Sequence, residues 1–191
     1  IRQPLTIILG QAQVAERSLA ANRIEPAKKS TAAIATSARR LNVMIQDLVD
    51  SVRMEAGQLE LSRKPIELGN FLRDLLQRSA ASMDVKRVRL TVEEGMPKVS
   101  ADTDRLERIV LNLLSNALKY SDPGTPVDIR VSKRDSEALR ALQDSGRGIA
   151  PEDIPHLFER FYRTKGARKR EGIGLGLYIS RILVEAHGGR I

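Results

Sequence analysis

Three glycines at alternate positions, Gly172, Gly174 and Gly176, lead into an apolar segment with helical spacing. Glycine has no Cβ, so the backbone amides of such a stretch can approach a ligand closely. A helix N-terminus adds free N–H groups and the positive end of the helix dipole, which suits phosphate. Six of the eleven residues from 160 to 170 are basic. The stretch therefore predicts a polyphosphate site, although three glycines alone could equally form a tight turn.

A predicted helix at 103–120 carries polar side chains on one face. Asn112 and Asn116 are four residues apart, and Lys119 and Tyr120 follow them. Amide oxygens are hard ligands that suit Mg²⁺ beside phosphate oxygens, and a lysine supplies a point charge. These could be ordinary surface residues, but two asparagines with Lys and Tyr on an otherwise apolar helix favour a functional site.

Asp144, Gly146 and Gly148 follow a predicted strand. A carboxylate at a strand end can accept a hydrogen bond from an exocyclic amino group such as that of adenine. The two glycines would let the backbone pass close to a flat ring. By itself the stretch could also be a plain turn.

Composition limits the class of protein. The chain has 191 residues, 41% hydrophobic residues, no cysteine and a net charge of +8. Aromatic residues make up 3% and do not interleave with the basic clusters, which argues against nucleic-acid binding. The apolar runs are shorter than a membrane span needs, and no signal peptide is visible. The lack of cysteine fits a reducing compartment, so we expect a cytoplasmic protein, with membrane attachment only through other parts of its parent.

The first part of the chain predicts an antiparallel helical hairpin, with helices at 1–22 and about 27–57 joined by a turn that ends at Pro26. Gly57 is predicted to cap the second helix. Each helix has one apolar seam with spacings of three and four. The hairpin cannot bury both seams alone, so we expect a four-helix bundle with a second copy; packing on the rest of the chain is the alternative. The seam positions are Leu5, Ile8, Ala12, Ala15, Leu19, Ile34, Ala38, Leu41, Ile45, Leu48 and Val52.

The second part predicts an α/β sandwich with one helical layer, so the whole chain is assigned to the α+β class. We expect domains at 1–60 and 65–191, joined by a connector that ends at Pro65. Helices are predicted from Leu68, at 103–120, near 151–161 and after the last glycine. Strands are predicted at 88–92, at 127–131 and at 137–143, and Val99 is expected in a short strand that pairs with 88–92.

Four motifs in fixed order resemble the sensor histidine kinases of two-component signalling, and the resemblance covers nearly the whole chain. The Asn-rich motif is 112–120 and the Asp-x-Gly-x-Gly motif is 144–148. A Phe motif at 157–163 and a Gly-x-Gly-Leu-Gly motif at 172–176 complete the set. Each motif alone is weak evidence, but four in sequence are specific.

The resemblance implies that the second domain is a Bergerat-type sandwich that binds ATP and Mg²⁺. Asp144 would bind the adenine amino group. Asn116 would hold Mg²⁺ with Asn112 beside it, and Lys119 and Arg163 would contact phosphates. Phe158 and Phe161 would anchor the lid at its entry. The remaining pocket positions would be Tyr120, Gly146, Gly148, Ile149, Gly172, Gly174, Leu175, Gly176 and Leu177.

The hairpin resembles the dimerisation and phosphotransfer segment of the same family. Ile1 to Pro4 matches the end of the phosphoacceptor motif, so the histidine is expected just before Ile1. Gln3 occupies the position associated with dephosphorylating a partner. The only histidines, His156 and His187, fit structural roles better than phosphotransfer.

The function implied is ATP-dependent phosphorylation of a histidine, followed by relay to an aspartate of a response-regulator receiver domain. We expect this chain to be a homodimer that binds ATP but does not autophosphorylate, and the family's last two strands would follow Ile191. One rival is an ATPase of the gyrase, mismatch-repair or chaperone class, but those carry a Glu where Asn112 stands. The other rival is a dimeric scaffold with an inert nucleotide site.

Overall fold

The computed structural model describes residues 2–55, 60–134, 137–164 and 174–191. The chain forms two compact units, a hairpin unit, Ile1–Gln58, and a sandwich unit, Leu59–Ile191. Within the described residues, no helix combines the length and the apolar character needed to cross a membrane.

The hairpin unit consists of helix α1 (Arg2–Ala20) and helix α2 (Ile24–Glu55). Asn22 ends α1 in the left-handed region at φ 54°. The amides of Asn22 and Arg23 donate to the carbonyls of Leu19 and Ser18, which is a Schellman motif with Asn in place of Gly. α2 begins two residues before Pro26, earlier than predicted, because a proline in the first helical turn loses no intrahelical bond. The predicted cap at Gly57 lies outside the described residues.

Small side chains fill the contact between α1 and α2. Ala15 and Ser18 of α1 and Ala27, Ser30 and Ser37 of α2 are buried. The large apolar side chains of the predicted seams are mostly on the outside instead. Those at least 39% exposed are Leu5, Leu19, Ile45, Leu48 and Val52. The hairpin unit alone therefore leaves an apolar surface on both helices.

The sandwich unit places helices against a mixed sheet. Strand β2 (Val88–Val92) pairs in parallel with β4 (Val127–Arg134), and β4 pairs antiparallel with β5 (Glu137–Gln143). The helices are α3 (Leu68–Ser79), α4 (Thr103–Tyr120) and α5 (Gly176–Ala186). The core lies between the sheet and two of these helices. Its fully buried members include Leu72, Leu75, Val110, Leu114, Val127, Ile129 and Val131.

Two predictions for the sandwich unit were wrong. The predicted connector contains a strand, β1 (Lys64–Ile66), and this strand pairs antiparallel with β3 (Val99–Ala101) rather than leaving β3 to pair with β2. The predicted helix near 151–161 is a single 3₁₀ turn, Ile154–His156, flanked by turns. Pro155 explains this, because it would lie inside such a helix and lacks the N–H that the helix interior needs.

Candidate functional site

A cavity of about 1260 Å³ lies in the sandwich unit between α4, the loop after β5 and the start of α5. Ligand pockets usually measure about 300–1,000 Å³, so this cavity can hold a nucleotide with room to spare. Fourteen of the sixteen positions predicted to bind nucleotide line it. They are Asn112, Asn116, Lys119, Tyr120, Asp144, Gly146, Gly148, Ile149, Phe158, Arg163, Gly174, Leu175, Gly176 and Leu177.

Three predicted positions are not among these lining residues. Gly172 lies outside the described residues. Gln3 lies in the first turn of α1, in the hairpin unit. Phe161 is 55% exposed and does not line the cavity, and the Arg160 guanidinium lies 5.6 Å from its ring centre. Its amide donates to the carbonyl of Gly174 over 3.0 Å, so its backbone still fastens the segment before α5.

Helix α4 is held at its start by Asp102. One carboxylate oxygen accepts from the amides of Asp104 and Arg105 at 3.1 Å, and the other accepts from the amide of Ser62 at 2.9 Å. Burial alone would raise the pKa of Asp102, but the hydrogen bonds from Arg105, Ser62 and Asp104 outweigh burial and hold the pKa below its usual value. Asp102 is therefore the N-cap of α4. It fixes the helix that carries both asparagines.

Asn112 joins α4 to α5. Its Nδ2 donates to Oγ of Ser180 over 2.8 Å. A Cβ at Gly176 would overlap Oδ1 of Asn112 and stand 2.9 Å from its Cγ, so only glycine permits this approach. The glycine was predicted to let the backbone meet a ligand, and the structure shows that it also lets two helices meet. Nothing in the sequence singles out Ser180, because its partner is 68 residues away.

The loop after β5 is fastened to the end of α4. Asp144 Oδ1 accepts from the amide of Gly146 over 2.9 Å, and Gly146 forms an isolated β-bridge with Ser121. A Cβ at Gly146 would stand 2.9 Å from the carbonyl carbon of Tyr120. The loop therefore brings the carboxylate of Asp144 to the same cavity as Tyr120. Within the described part of the chain the second oxygen of this carboxylate has no hydrogen-bond donor, so it can accept from a ligand.

Arg87 braces the turn that follows α4. Its Nε donates to the carbonyl of Thr125 at 2.8 Å, and its Nη2 donates to Oγ of Ser121 and the carbonyl of Asp122 at 2.5 and 2.8 Å. Because Ser121 bridges to Gly146, this guanidinium supports the wall of the cavity that holds Asp144. No local sequence pattern marks Arg87 for this role, because its partners lie more than 30 residues further along the chain.

Three basic residues, Lys119, Arg147 and Arg163, line the cavity. Lys119 Nζ lies 5.3 Å from the ring centre of Tyr120, and the Arg147 guanidinium lies 5.6 Å from the same ring. Arg147 was not predicted as a site residue, although its position between Gly146 and Gly148 could have drawn attention to it. The start of α5 adds the positive end of a helix dipole, so the cavity suits an anionic ligand.

Both histidines make structural contacts, as predicted. His187 Nε2 accepts from the amide of Asp102 over 3.1 Å. His156 Nδ1 lies 2.7 Å from a carboxylate oxygen of Glu159, and its ring lies against Tyr162. The Tyr162 hydroxyl in turn donates to Asp153.

The donor set fits ATP and Mg²⁺. Asn116 offers an amide oxygen at the cavity wall, and Asn112 has its NH₂ group turned toward Ser180, which leaves Oδ1 on the side of Gly176. Magnesium takes few protein ligands and completes its shell with phosphate oxygens and water. Asp144 supplies a hydrogen-bond acceptor, and Lys119, Arg147 and Arg163 supply positive charge, in the same cavity as the start of α5, which suits a nucleotide.

Two family models match the chain. Residues 1–57 match "His Kinase A (phospho-acceptor) domain", and residues 101–191 match "Histidine kinase-, DNA gyrase B-, and HSP90-like ATPase". The chain is 30% identical over 194 residues to "Sensor protein SrrB" of Staphylococcus aureus, strain N315. That alignment covers all of this chain and 33% of SrrB, so the chain spans about a third of the length of the curated relatives it matches.

Solved structures of histidine kinases are also similar to this chain. The Acinetobacter baumannii histidine kinase AdeS shares the fold with a TM-score of 0.72 at 23% identity, over 97% of this chain and 85% of that one. Full-length ShkA, crystallised with AMPPNP, gives 0.69 at 29% identity, over 86% of this chain and 34% of that one. The mycobacterial sensor histidine kinase MprB gives 0.56 at 33% identity, over 66% of this chain and 80% of that one. With the predicted hairpin and sandwich architecture confirmed as well, this chain belongs to the sensor histidine kinases of two-component signalling.

Proposed function

We propose that the cavity binds Mg²⁺–ATP and that the chain passes the γ-phosphoryl group to a histidine, from which it moves to an aspartate of a response-regulator receiver domain. The observation that carries this proposal is the meeting of Asp144, Asn112, Asn116 and the start of α5 at one cavity. We assign residues 1–60 to the phosphotransfer hairpin and 65–191 to the ATP-binding domain, and we place this core in the cytoplasm, where ATP is available.

Each of the cavity residues has a proposed role in binding Mg²⁺–ATP. The carboxylate of Asp144 accepts a hydrogen bond from the adenine amino group, and Tyr120 covers part of the base. Asn116, with Asn112 beside it, holds Mg²⁺. Lys119 and Arg163 neutralise phosphate charge. Magnesium, when bound, lowers the charge that develops on the phosphates, and phosphoryl transfer depends mainly on such positioning and neutralisation.

The hairpin unit supplies the second half of the function. Large apolar side chains on the outside of α1 and α2, among them Leu19, Leu48 and Val52, have no cover within the described hairpin. A second copy of the same hairpin buries them in a four-helix bundle. Such a dimer presents two phosphotransfer hairpins, each to a receiver domain. Gln3 carries the amide proposed to act in dephosphorylation of that partner.

A hydrolytic ATPase is the rival of the same fold. Such an enzyme needs a general base beside the attacking water, and the amide of Asn112 cannot accept that proton. The NH₂ group of this amide also donates a hydrogen bond to Ser180, so it is already engaged within the protein. We therefore expect nucleotide binding without steady ATP turnover by this chain.

Calorimetric titration with AMPPNP and Mg²⁺ tests the proposal. Asp144→Asn replaces one acceptor oxygen with a donor, and loss of a charged hydrogen bond of about 1.5–3 kcal/mol lowers affinity by about 10- to 100-fold. Asp122→Asn is the matched control, because Asp122 lies in the neighbouring turn but does not line the cavity. Absence of heat with the unaltered chain would favour the inert scaffold, and steady phosphate release abolished by Asn112→Ala would favour the ATPase.

A further inference from the structure

We propose that Arg147 is a positioning residue for the aromatic ring of Tyr120, and that it holds this ring where it covers the base of the nucleotide. The Arg147 guanidinium lies over the Tyr120 ring, 5.6 Å from the ring centre, and both residues line the cavity. This inference rests on the proposed function, which assigns Tyr120 to the base, and it adds Arg147 to the residues of the site.

Main-chain contacts bring Arg147 to Tyr120. Gly146, which directly precedes Arg147, forms an isolated β-bridge with Ser121, the residue that follows Tyr120. The backbone of Gly146 also packs against the end of α4, because an added Cβ would stand 2.9 Å from the carbonyl carbon of Tyr120. Arg147 is therefore placed beside the ring by the backbone of its loop and not by its own side chain alone.

The side-chain contact between Arg147 and Tyr120 is a cation–π interaction. The face of a tyrosine ring is partially negative and attracts a cation, and the planar guanidinium of arginine also stacks on aromatic faces. Among the described residues the Arg147 guanidinium has no carboxylate partner that would draw it away from the ring. Lys119 Nζ lies 5.3 Å from the same ring centre, but it belongs to the same helix as Tyr120. Arg147 is thus the cation that ties the ring to the loop after β5.

This contact joins the two parts of the site that are assigned to the base. Tyr120 is the last residue of α4, and Asp144 lies three residues before Arg147 in the loop after β5. A ring that is already held in place loses less conformational freedom when the base binds, so the contact favours binding. A cation–π contact at an exposed site is weak, so we expect its loss to lower the affinity for the base by about 2- to 5-fold.

The test is a double-mutant cycle that measures adenosine affinity in Arg147→Ala, in Tyr120→Leu and in the variant that carries both substitutions. Adenosine has no phosphate, so loss of the arginine charge cannot weaken binding through attraction to phosphate. Arg147→Ala is expected to weaken adenosine binding about 2- to 5-fold when Tyr120 is present and to have almost no further effect beside Tyr120→Leu. Arg89→Ala is the matched control, because it removes the same charge at an exposed position of β2 outside the cavity. Equal losses with and without Tyr120, or no loss of adenosine affinity, would overturn the positioning role.

A second measurement needs no nucleotide. In the ligand-free protein, the NMR signals of the Arg147 side chain should carry the shift that the face of an aromatic ring imposes, and this shift should disappear in Tyr120→Leu. Arg147 signals at ordinary positions in the unaltered chain would contradict the contact. If the unaltered chain and Arg147→Ala bound adenosine equally well, the role of Arg147 would fail while the proposed function stood. If the unaltered chain bound neither adenosine nor AMPPNP, the proposed function would fail and take the role toward the base with it, while the NMR result would still decide whether Arg147 holds the ring.

Discussion

The backbone amide of Asp102 donates to Nε2 of His187, which joins the start of α4 to the end of α5. His187 Nδ1 lies 2.7 Å from the carbonyl oxygen of Leu183, so Nδ1 carries the proton and Nε2 is the acceptor. The bond from Asn112 to Ser180 joins the same two helices nearer the cavity. Two polar contacts, about ten residues apart along α4, therefore fix how α5 lies against the helix that carries the asparagines.

Removal of the His187 ring should destabilise the sandwich unit. In His187→Ala the amide of Asp102 loses its acceptor, and a buried unpaired amide costs about 1–3 kcal/mol. Urea unfolding, followed by a probe in the sandwich unit, measures the loss. His156→Ala is the control, because His156 is exposed and should change the free energy of unfolding by less than about 0.5 kcal/mol. Equal effects of the two substitutions would argue against the contact.

Asp102 should make the sandwich unit sensitive to acid. The hydrogen bonds to its carboxylate hold its folded-state pKa below the ordinary value of 3.8. Its contribution to stability is therefore complete above that ordinary pKa and is lost as pH falls through the lower folded-state pKa. The difference in unfolding free energy between the unaltered chain and Asp102→Asn should shrink as pH falls from 6 toward about 3. Asp84→Asn, at an exposed aspartate, should show no such convergence, and a constant difference for Asp102→Asn would refute the assignment.

Gly176→Ala should destabilise the chain even though alanine favours helices. An added Cβ would overlap the Asn112 amide, and overpacking of this kind costs about 1–3 kcal/mol. Gly10→Ala in α1 is the matched control, because no atom lies within 4 Å of its added Cβ. There the gain in helix propensity, about 0.5–1 kcal/mol, should appear as stabilisation of the hairpin unit. Thermal unfolding with a probe in each unit would show the opposite signs, and stabilisation by both alanines would count against the close approach.

Arg87→Lys should loosen the turn after α4. A lysine cannot reproduce the forked bonds to Ser121, Asp122 and Thr125, because it has one point charge and no planar fork. Amide hydrogen exchange at 121–125 should accelerate, with a loss of about 1–2 kcal/mol in stability. Arg89→Lys, at an exposed position of β2, should leave exchange in that turn unchanged. Unaltered exchange in Arg87→Lys would mean that the bonds do not brace the turn.

A charge on the exposed apolar face of α2 should separate the proposed dimer. Leu48→Glu with Val52→Glu places two like charges on a surface that a second copy would bury, at a cost of several kcal/mol. Sedimentation should then show monomers at concentrations where the unaltered chain is dimeric. Arg39→Glu, at an exposed polar position, is the control. A monomeric unaltered chain would remove the basis for the four-helix bundle.

Local patterns predicted much of this fold. Helix α4 has a regular apolar spacing and an aspartate cap, and β4 alternates cleanly, so both were correct. β1 was missed because it is three residues long, contains Pro65 and depends on a partner strand about 35 residues away. The bond from Asn112 to Ser180 was invisible for the same reason. Sequence motifs predicted which residues line the cavity. The contacts that orient these residues join positions far apart in the chain, and no local pattern predicts such contacts.

The division into two compact units affects the order in which the parts of the chain fold. In the hairpin unit the two packed helices, α1 and α2, follow each other in the chain. Such local contacts favour rapid folding of this unit. In the sandwich unit the parallel β2–β4 ladder can form only after the intervening 34 residues are arranged, so it should form later. Unfolding of the whole chain should then proceed in two stages, and a single melting temperature would describe neither unit.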